Sequence, residues 1–465
     1  MTTAVEGVRF RLFPNWAQEP DRPVTIALNL RPGLVGPGPS DSSMYVVDAA
    51  GKSPYDPPRY TPPYGGPRYA PALPDRDGHF DYIPVEDATF AAAHLYGSAR
   101  FVLDVWEKYL GRSIRWRSAN VYPRLELIPQ VDWDNAQSGL GFLETGARRN
   151  RAGQLQPFCL NFDVVAHEIG HTVLFSEIGV PPPERLSSEF LAFHEAMADT
   201  AALVSIMHFE SVLVAVLRKT HGNLYVLNML NRFGILSETE QIRVSDNTSK
   251  MSDVKGLRLG PNGAWVDPTG RGRNAHDLAA PLTGAIFDIL VDLFQDGLIA
   301  GGVIEGELDV RQWSRQRSED ELQQVSAQFQ DRFAAAEPLF HDALKHARDI
   351  VGASLALLFE ALEPDGLTFD KVACTFLLSL RQVNPASDLV YLAENFTWRG
   401  IGMGLPDFFG LRGRRGPRQV APAYATRVAQ AVAQRMRHED GVLNANNLHR
   451  LINHDHRGHR METDA

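Results

Sequence analysis

The chain has 465 residues, of which 44% are hydrophobic and 22% are charged, and its formal net charge is −10. This composition is typical of a globular protein, and the negative charge argues against bulk binding of nucleic acid. No run of about 18 apolar residues occurs, so the sequence predicts no transmembrane helix and no membrane partner. A chain of this length is expected to hold more than one domain or lobe, and its oligomeric state is left open.

The N-terminal region, residues 1–52, is predicted to be β-rich, because apolar side chains alternate weakly between residues 7 and 30. It lacks the charged segment and following apolar segment of a standard signal peptide. A cytoplasmic location is therefore favoured, with non-classical export as the open alternative.

A Pro/Tyr-rich stretch covers residues 53–84 and begins SPYDPPRYTPPYGG. So many prolines exclude a helix or a central strand, because proline lacks the backbone N–H that both need. We predict an extended linker, or a strap that lies on the body of the protein. A polyproline ligand for a binding module is the alternative.

A helical pattern begins near Asp87, a predicted N-cap, and stops at Gly111. Two strand regions are then predicted, at residues 113–130 and 139–145. Further helices are predicted near residues 162–177, 188–208, 210–218, 280–297, 318–332, 337–362, 368–381 and 385–397.

An HExxH motif lies inside the first of these later helices, in the sequence DVVAHEIGHTV. Four helical residues turn by about 400°, so His167 and His171 lie on one face and can share one Zn²⁺. Glu168 lies beside them, where it can take a proton from a metal-bound water. The motif also arises by chance, and the alternative is an amphipathic helix with two surface histidines.

A third metal ligand is predicted on the next helix, in the sequence FLAFHEAMADTAALV. Glu195 can complete a His₂Glu zinc site, and Asp199, one turn later, can orient a liganding histidine. The flanking residues are apolar, so these carboxylates are expected to be buried and to need partners. His194 lies about 100° away around the helix and is not expected to bind the metal.

The segment 163–204 resembles the thermolysin-like (gluzincin) zinc metallopeptidases, because DVVAHEIGHTV and HEAMADTAAL are similar to the two metal-binding helices of that family. The resemblance implies an α+β fold of two lobes with the zinc cleft between them. Residues 85–208 are expected to form a catalytic α/β lobe, and residues 209–410 a mainly α-helical lobe. Residues 411–465 are predicted to be a basic tail, helical at 422–438.

Further site residues are implied by the same resemblance. His276 is similar in context to the catalytic histidine of the family, with a helix-capping histidine as the alternative. Asn135 and Ala136 resemble the edge strand that binds the substrate backbone, and Arg243 resembles an arginine that contacts a substrate carbonyl. The alternatives are a polar turn for the first pair and a surface arginine for Arg243.

The sequence also departs from the family. No tyrosine occurs between the two metal helices, so the oxyanion is expected to depend on zinc and His276 alone. Arg271 stands where the family has an aspartate that orients the catalytic histidine. Asp163 matches a calcium ligand, but the partner carboxylate is replaced around Ser205 and Ile206 by apolar or neutral residues, so calcium is not expected there.

The sequence therefore predicts an endopeptidase with one Zn²⁺, held by His167, His171 and Glu195, that hydrolyses a peptide or protein substrate. Glu168 and His276 are its expected catalytic residues. Two alternatives stay open. One is a catalytically inactive relative that binds peptides in the same groove. The other is a protein whose zinc is purely structural.

Overall fold

A computed structural model describes residues 7–15, 22–237, 240–254, 256–259, 265–267, 272–304 and 319–405. The basic segment 411–465, with the helix predicted at 422–438, lies outside the described residues, and so does Arg271. Within the described part the protein is a mixed α/β structure with eight α-helices and several small sheets.

The chain begins with an antiparallel hairpin, formed by β1 (Val8–Leu12) and β2 (Val24–Leu28). Val8, Phe10 and Leu12 are buried on alternate positions, as expected for a strand with one face on the core. They pack towards α1 (Phe90–Leu110), which ends at Gly111 in the left-handed conformation. The weak alternation in the sequence thus did predict these strands.

A four-stranded sheet lies at the centre of the α/β part. Its strands are β3 (Met44–Val46), β4 (Leu125–Ile128), β5 (Ala136–Gly139) and β6 (Phe142–Thr145), in the order β3-β4-β6-β5. β4 pairs in parallel with both β3 and β6, while β5 pairs antiparallel with β6 and forms one edge of the sheet. A short hairpin of β7 (Ala147–Arg149) and β8 (Leu155–Pro157) follows.

The Pro/Tyr-rich stretch contacts this sheet. The backbone N–H groups of Tyr55 and Tyr64 donate to the buried carboxylates of Glu144 on β6 and Glu126 on β4. Lys52, just before the stretch, is also buried, and it forms an ion pair with Glu144. These bonds hold an otherwise irregular segment against the sheet.

The two predicted metal helices are α2 (Phe162–Glu177) and α3 (Ser188–Ile206), which pack directly on each other. Downstream, α4 (Glu210–Thr220), α5 (Ala275–Ala300), α6 (Glu319–Ala361), α7 (Phe369–Val383) and α8 (Leu389–Trp398) make this part mainly helical. Short strands lie between α4 and α5, namely β9 (Arg232–Ile235), β10 (Gln241–Val244), β11 (Arg258–Leu259), β12 (Trp265–Val266) and β13 (Gly272–Arg273).

The separate helices expected at 318–332 and 337–362 are confirmed, since α6 is two helices joined at a kink where Ala336 leaves the helical conformation, two residues before Pro338. One local prediction needs correction. Asp87 does not cap α1, because its carboxylate accepts hydrogen bonds from Thr89, which is itself the N-cap residue.

One continuous hydrophobic core runs from Val8 to Leu405 and so joins the α/β part to the helical part. In the part of the chain that the model covers, no single helix has both the length and the apolar character needed to cross a membrane. The pair α3 and α4 meets that test together, with a bend of 94° between them. The division into two lobes stays a prediction.

Candidate metal centre

His167 and His171 lie one turn apart on α2 and are both buried. Their Nε2 atoms are 3.0 Å from each other. Gly170 between them lets α3 approach closely, because a Cβ at this position would lie 3.1 Å from the Cα of Ala198. The missing side chain therefore helps to bring the carboxylate of α3 to the two imidazoles.

Glu195 supplies that carboxylate. Its Oε2 lies 3.3 Å from Nε2 of His167 and 3.4 Å from Nε2 of His171, and the ligand atoms of all three residues lie within 4.8 Å of one another. Within the described residues, this is the one group of side chains arranged to bind a metal ion.

This donor set fits zinc. Zn²⁺ prefers three nitrogen or oxygen ligands at about 2.0–2.2 Å in catalytic sites, which places the ligand atoms roughly 3 Å apart. Both carboxylate oxygens of Glu195 are buried and have no hydrogen-bond partner within the described structure, although buried carboxylates normally have partners. A cation between the three side chains would satisfy them.

The charge state of Glu195 also suits a metal ligand. Burial alone would raise its pKa, but His276 and then His171 and His167 hold the pKa well below its usual value. Metal ligands must be deprotonated, so the carboxylate is already in its binding form.

Asp199 and Arg243 stand behind His167. The Oδ1 of Asp199 lies 2.8 Å from Nδ1 of His167, on the side of the ring away from Glu195. Arg243 holds the same carboxylate through Nη2 at 2.6 Å and Nε at 3.1 Å. Burial opposes the charge of Asp199, but Arg243 and His167 keep its pKa well below the ordinary value. Asp199 is thus placed to fix the His167 ring, as expected from the sequence.

The same contacts bear on the pKa of His167 and on the predicted role of Arg243. Burial would lower the pKa of His167, yet Asp199 raises it to about 9. Arg243 was expected to contact a substrate carbonyl. Its guanidinium donates to Asp199, and the side chain also lines the cleft described below. Its contact with substrate stays a prediction.

His194, which was not expected to bind the metal, lies beside the candidate metal centre. It is fully buried on α3, and its Nδ1 lies 3.3 Å from Nδ1 of His171. It therefore contacts the ring of a candidate metal ligand, much as Asp199 contacts His167. Its position next to Glu195 in a mostly apolar helix was the available signal.

His276 lies in the first turn of α5 with its Nδ1 3.2 Å from Oε2 of Glu195. Helix capping, the alternative role for this histidine, is performed by Asn274 and Asp277, whose side chains and backbone N–H groups bond reciprocally. The imidazole is therefore directed at the metal-binding group rather than at the helix end.

A small cleft that is open to solvent adjoins His167 and Glu168. Asn135 and Ala136, the two residues predicted to bind the substrate backbone, both line this cleft. Asn135 directly precedes the edge strand β5, and Ala136 is the first residue of that strand. The Nδ2 of Asn135 is buried without a hydrogen-bond partner within the described structure, and so is Oε2 of Glu168. The remaining lining residues are Arg148, Phe158, Asp163, Val164, Phe233, Gly234, Ile242 and Arg243.

Asp163, which matches a calcium ligand of the family, has a different partner in this protein. Its Oδ2 accepts a hydrogen bond of 2.6 Å from the backbone N–H of Gly234 in β9. The carboxylate therefore fastens the β9–β10 hairpin to the start of α2, and burial raises its pKa to about 6.

Comparisons with known proteins give limited support. No model of a protein family matches the chain, and no curated protein matches it. Twenty-two solved chains match. One is the precursor of protealysin, a metalloproteinase from Serratia proteamaculans, with 13% identity and a TM-score of 0.44 over 77% of this chain and 86% of that one. A match at this level carries no argument about family or activity, and the case for an activity rests on the residues themselves.

Proposed function

We propose that this protein is a zinc-dependent endopeptidase with the catalytic arrangement of the thermolysin-like family. The observation that carries the proposal is the buried group of His167, His171 and Glu195 with Glu168 beside it in an open cleft. A carboxylate next to a three-ligand zinc site, with room for a water and a substrate, is the arrangement of a metal-assisted hydrolase.

His167, His171 and Glu195 would hold the zinc. When bound, it polarises the scissile carbonyl and lowers the pKa of water towards about 7. Glu168 takes the proton from the attacking water and later passes it to the leaving amine. Its buried Oε2, which has no hydrogen-bond partner within the described structure, is suited to both transfers.

The substrate would bind as an added strand along β5, with Asn135 donating from Nδ2 to its backbone. His276, whose Nδ1 lies 3.2 Å from Oε2 of Glu195, would donate to the oxyanion of the tetrahedral intermediate. Because the interval between α2 and α3 has no tyrosine, His276 is expected to carry more of this role than it would beside a second donor.

The missing tyrosine also favours one rival, a relative that binds peptides in the groove without cleaving them. That rival gives no reason for a buried Glu168 with an unpartnered oxygen next to the metal ligands. A purely structural zinc is less well supported still, because α2 and α3 already pack directly through Gly170 and Ala198.

The experiment that tests the proposal is digestion of a diverse peptide library by the zinc-loaded protein, read by mass spectrometry. We expect cuts that disappear with a chelator and return when zinc is added. A protein that holds one zinc but leaves the whole library intact would favour the peptide-binding rival.

A further inference from the structure

Arg148 lies on β7 and lines the cleft that contains His167, Glu168 and Asn135. No feature of the HExxH motif or of the metal ligands calls for a cation at this place. A guanidinium there bears on which substrates the cleft accepts.

The hydrogen bonds of Arg148 leave its charge without a bound anion. Nε and Nη2 donate to the backbone carbonyl of Asp134 at 3.2 and 2.9 Å, and the guanidinium lies 5.7 Å from the ring centre of Phe158. Among the described residues, no carboxylate lies within ion-pair distance of it. Burial has the largest effect on the pKa of Arg148 and lowers it, and the nearby charge of Asp134 offsets this only in part.

The other charged groups of the cleft already have partners or a different task. Arg243 holds Asp199, and Asp163 accepts from the backbone of Gly234. Glu168 lines the cleft with an unpartnered Oε2 and is the base of the proposed function. Arg148 is therefore the cleft's available cation, and the unpartnered Nδ2 of Asn135 is a second donor in the same cleft.

The position of Glu168 indicates which part of a substrate enters this cleft. Glu168 gives its proton to the leaving amine, so the residue that carries this nitrogen must lie against it. Phe158, Val164, Phe233 and Ile242 offer an apolar wall to the stem of that residue's side chain. Arg148 offers a charged partner to a group at its end.

We infer that this cleft selects a carboxylate on the leaving-group side of the scissile bond, with Arg148 as the specificity-determining residue. The inference rests on the proposed function, since it places the substrate by the role of Glu168. An acidic side chain directly after the scissile bond is one source of the carboxylate, and the C-terminal carboxylate of a short leaving peptide is the other.

Matched peptides test this by kcat/KM. The peptides carry Glu, Gln or Leu directly after the cleaved bond. The wild type is expected to prefer Glu over Gln by about tenfold or more, the usual size of a charge-assisted hydrogen bond. Arg148→Gln should lose the preference for Glu, and Arg148→Lys should keep part of it. Arg148→Glu should prefer a further peptide that carries Lys at the same position.

Arg149→Gln is the matched control, because Arg149 is the next residue of β7, is exposed, and bonds only to the backbone of Gly153 within the described structure. It should leave the Glu/Gln ratio unchanged. Peptides with a free or an amidated C-terminus separate the two carboxylate sources. The inference would be overturned if wild type and Arg148→Gln gave the same ratio of kcat/KM for Glu over Gln peptides and the same ratio for free over amidated C-termini.

A binding measurement separates this inference from the proposed function. Mercaptoacyl-Glu and mercaptoacyl-Gln amides bind zinc through their thiols whether or not the protein cleaves peptides, and calorimetry on the zinc-loaded protein gives their Kd values. A Glu preference that vanishes in Arg148→Gln supports the inference even if no peptide is cut. Equal Kd values in the wild type for the Glu and Gln amides, together with equal Kd values for the Gln amide and its free acid, would contradict it.

Discussion

His167, a proposed zinc ligand, depends on a residue outside the proposed metal-binding group. Asp199 accepts from its Nδ1 and is itself held by Arg243, so the ring is fixed before zinc binds. We predict that Asp199→Asn weakens zinc binding by about 10–100-fold, the usual effect of losing such a partner. Competition with a zinc-sensitive dye measures this. Asp342→Asn, at an exposed site on α6, should change nothing, and equal affinity in both variants would contradict the role of Asp199.

His94 makes a separate contribution that depends on pH. It is buried on α1, where its Nε2 accepts from the backbone N–H of Phe13 and its Nδ1 donates to the carbonyl of Cys159, both at 2.8 Å. Only the neutral ring can make both bonds. Burial accordingly lowers its pKa from 6.5 to about 4.

The sign of the effect follows from this depressed pKa. Between pH 6.5 and 4 His94 binds a proton in the unfolded chain but not in the folded protein. The contribution of neutral His94 to the free energy of unfolding is therefore fully present above pH 6.5 and is lost as the pH falls towards 4. The loss from His94 is about 3 kcal/mol. Denaturant unfolding in chelator should show a weaker pH dependence in His94→Gln than in wild type or in the surface variant His346→Gln. Identical slopes in all three would refute the role of His94.

The residues of the site differ in how far the sequence could reveal them. His167, Glu168 and His171 follow from a local motif, and Glu195 and Asp199 from helical spacing. Arg148 could not be predicted, because its position depends on how a hairpin turns. His194 had only an indirect signal, its place next to Glu195, because its contact with His171 depends on how two helices pack. His276 needed the family resemblance, since its sequence gives no sign that it faces Glu195.

At the scale of elements, helices were easier to predict than strands. The bounds of α2 and α3 match the predicted spans closely, because both helices are long segments that are apolar on most sides, and Ser187 caps the start of α3. The strands are short, and apolar periodicity alone cannot fix their partners. The parallel pairing of β3 with β4 joins residues about 80 positions apart, which no local pattern reveals.

The contact between the Pro/Tyr-rich stretch and the sheet can be tested through Lys52. Its amine is buried with Glu144 and lies 3.3 Å from the ring centre of Tyr55. Lys52→Met would leave Glu144 as a buried carboxylate without its cation and should cost about 3–5 kcal/mol. Denaturant unfolding measures this free energy.

The double variant Lys52→Met/Glu144→Gln is the control, because it removes both charges and keeps an acceptor for the N–H of Tyr55. It should recover much of the lost stability. A double variant as unstable as Lys52→Met would show that the side-chain packing of Lys52, rather than the charge pair, holds the stretch in place.

For the whole molecule, the continuous core implies that zinc adds to stability but does not create the fold. The buried residues run without a break from the N-terminal hairpin to α8. Zinc binding should add about 4 kcal/mol at a free concentration a thousandfold above its Kd. Thermal unfolding with and without chelator should give a lower Tm and an unchanged circular dichroism spectrum at 25 °C. Loss of the folded spectrum on chelation would support a structural zinc instead.

The central claim is that Glu168 acts as the base of a zinc peptidase. The measurement that tests it most directly is kcat/KM of Glu168→Gln on the best-cleaved peptide, with the zinc content of each sample determined alongside. We expect one zinc in both proteins and a loss of about 10²–10⁴-fold in turnover, the usual contribution of a general base. Glu184→Gln, at an exposed glutamate between α2 and α3, should behave as wild type. Full activity in zinc-loaded Glu168→Gln would contradict the mechanism.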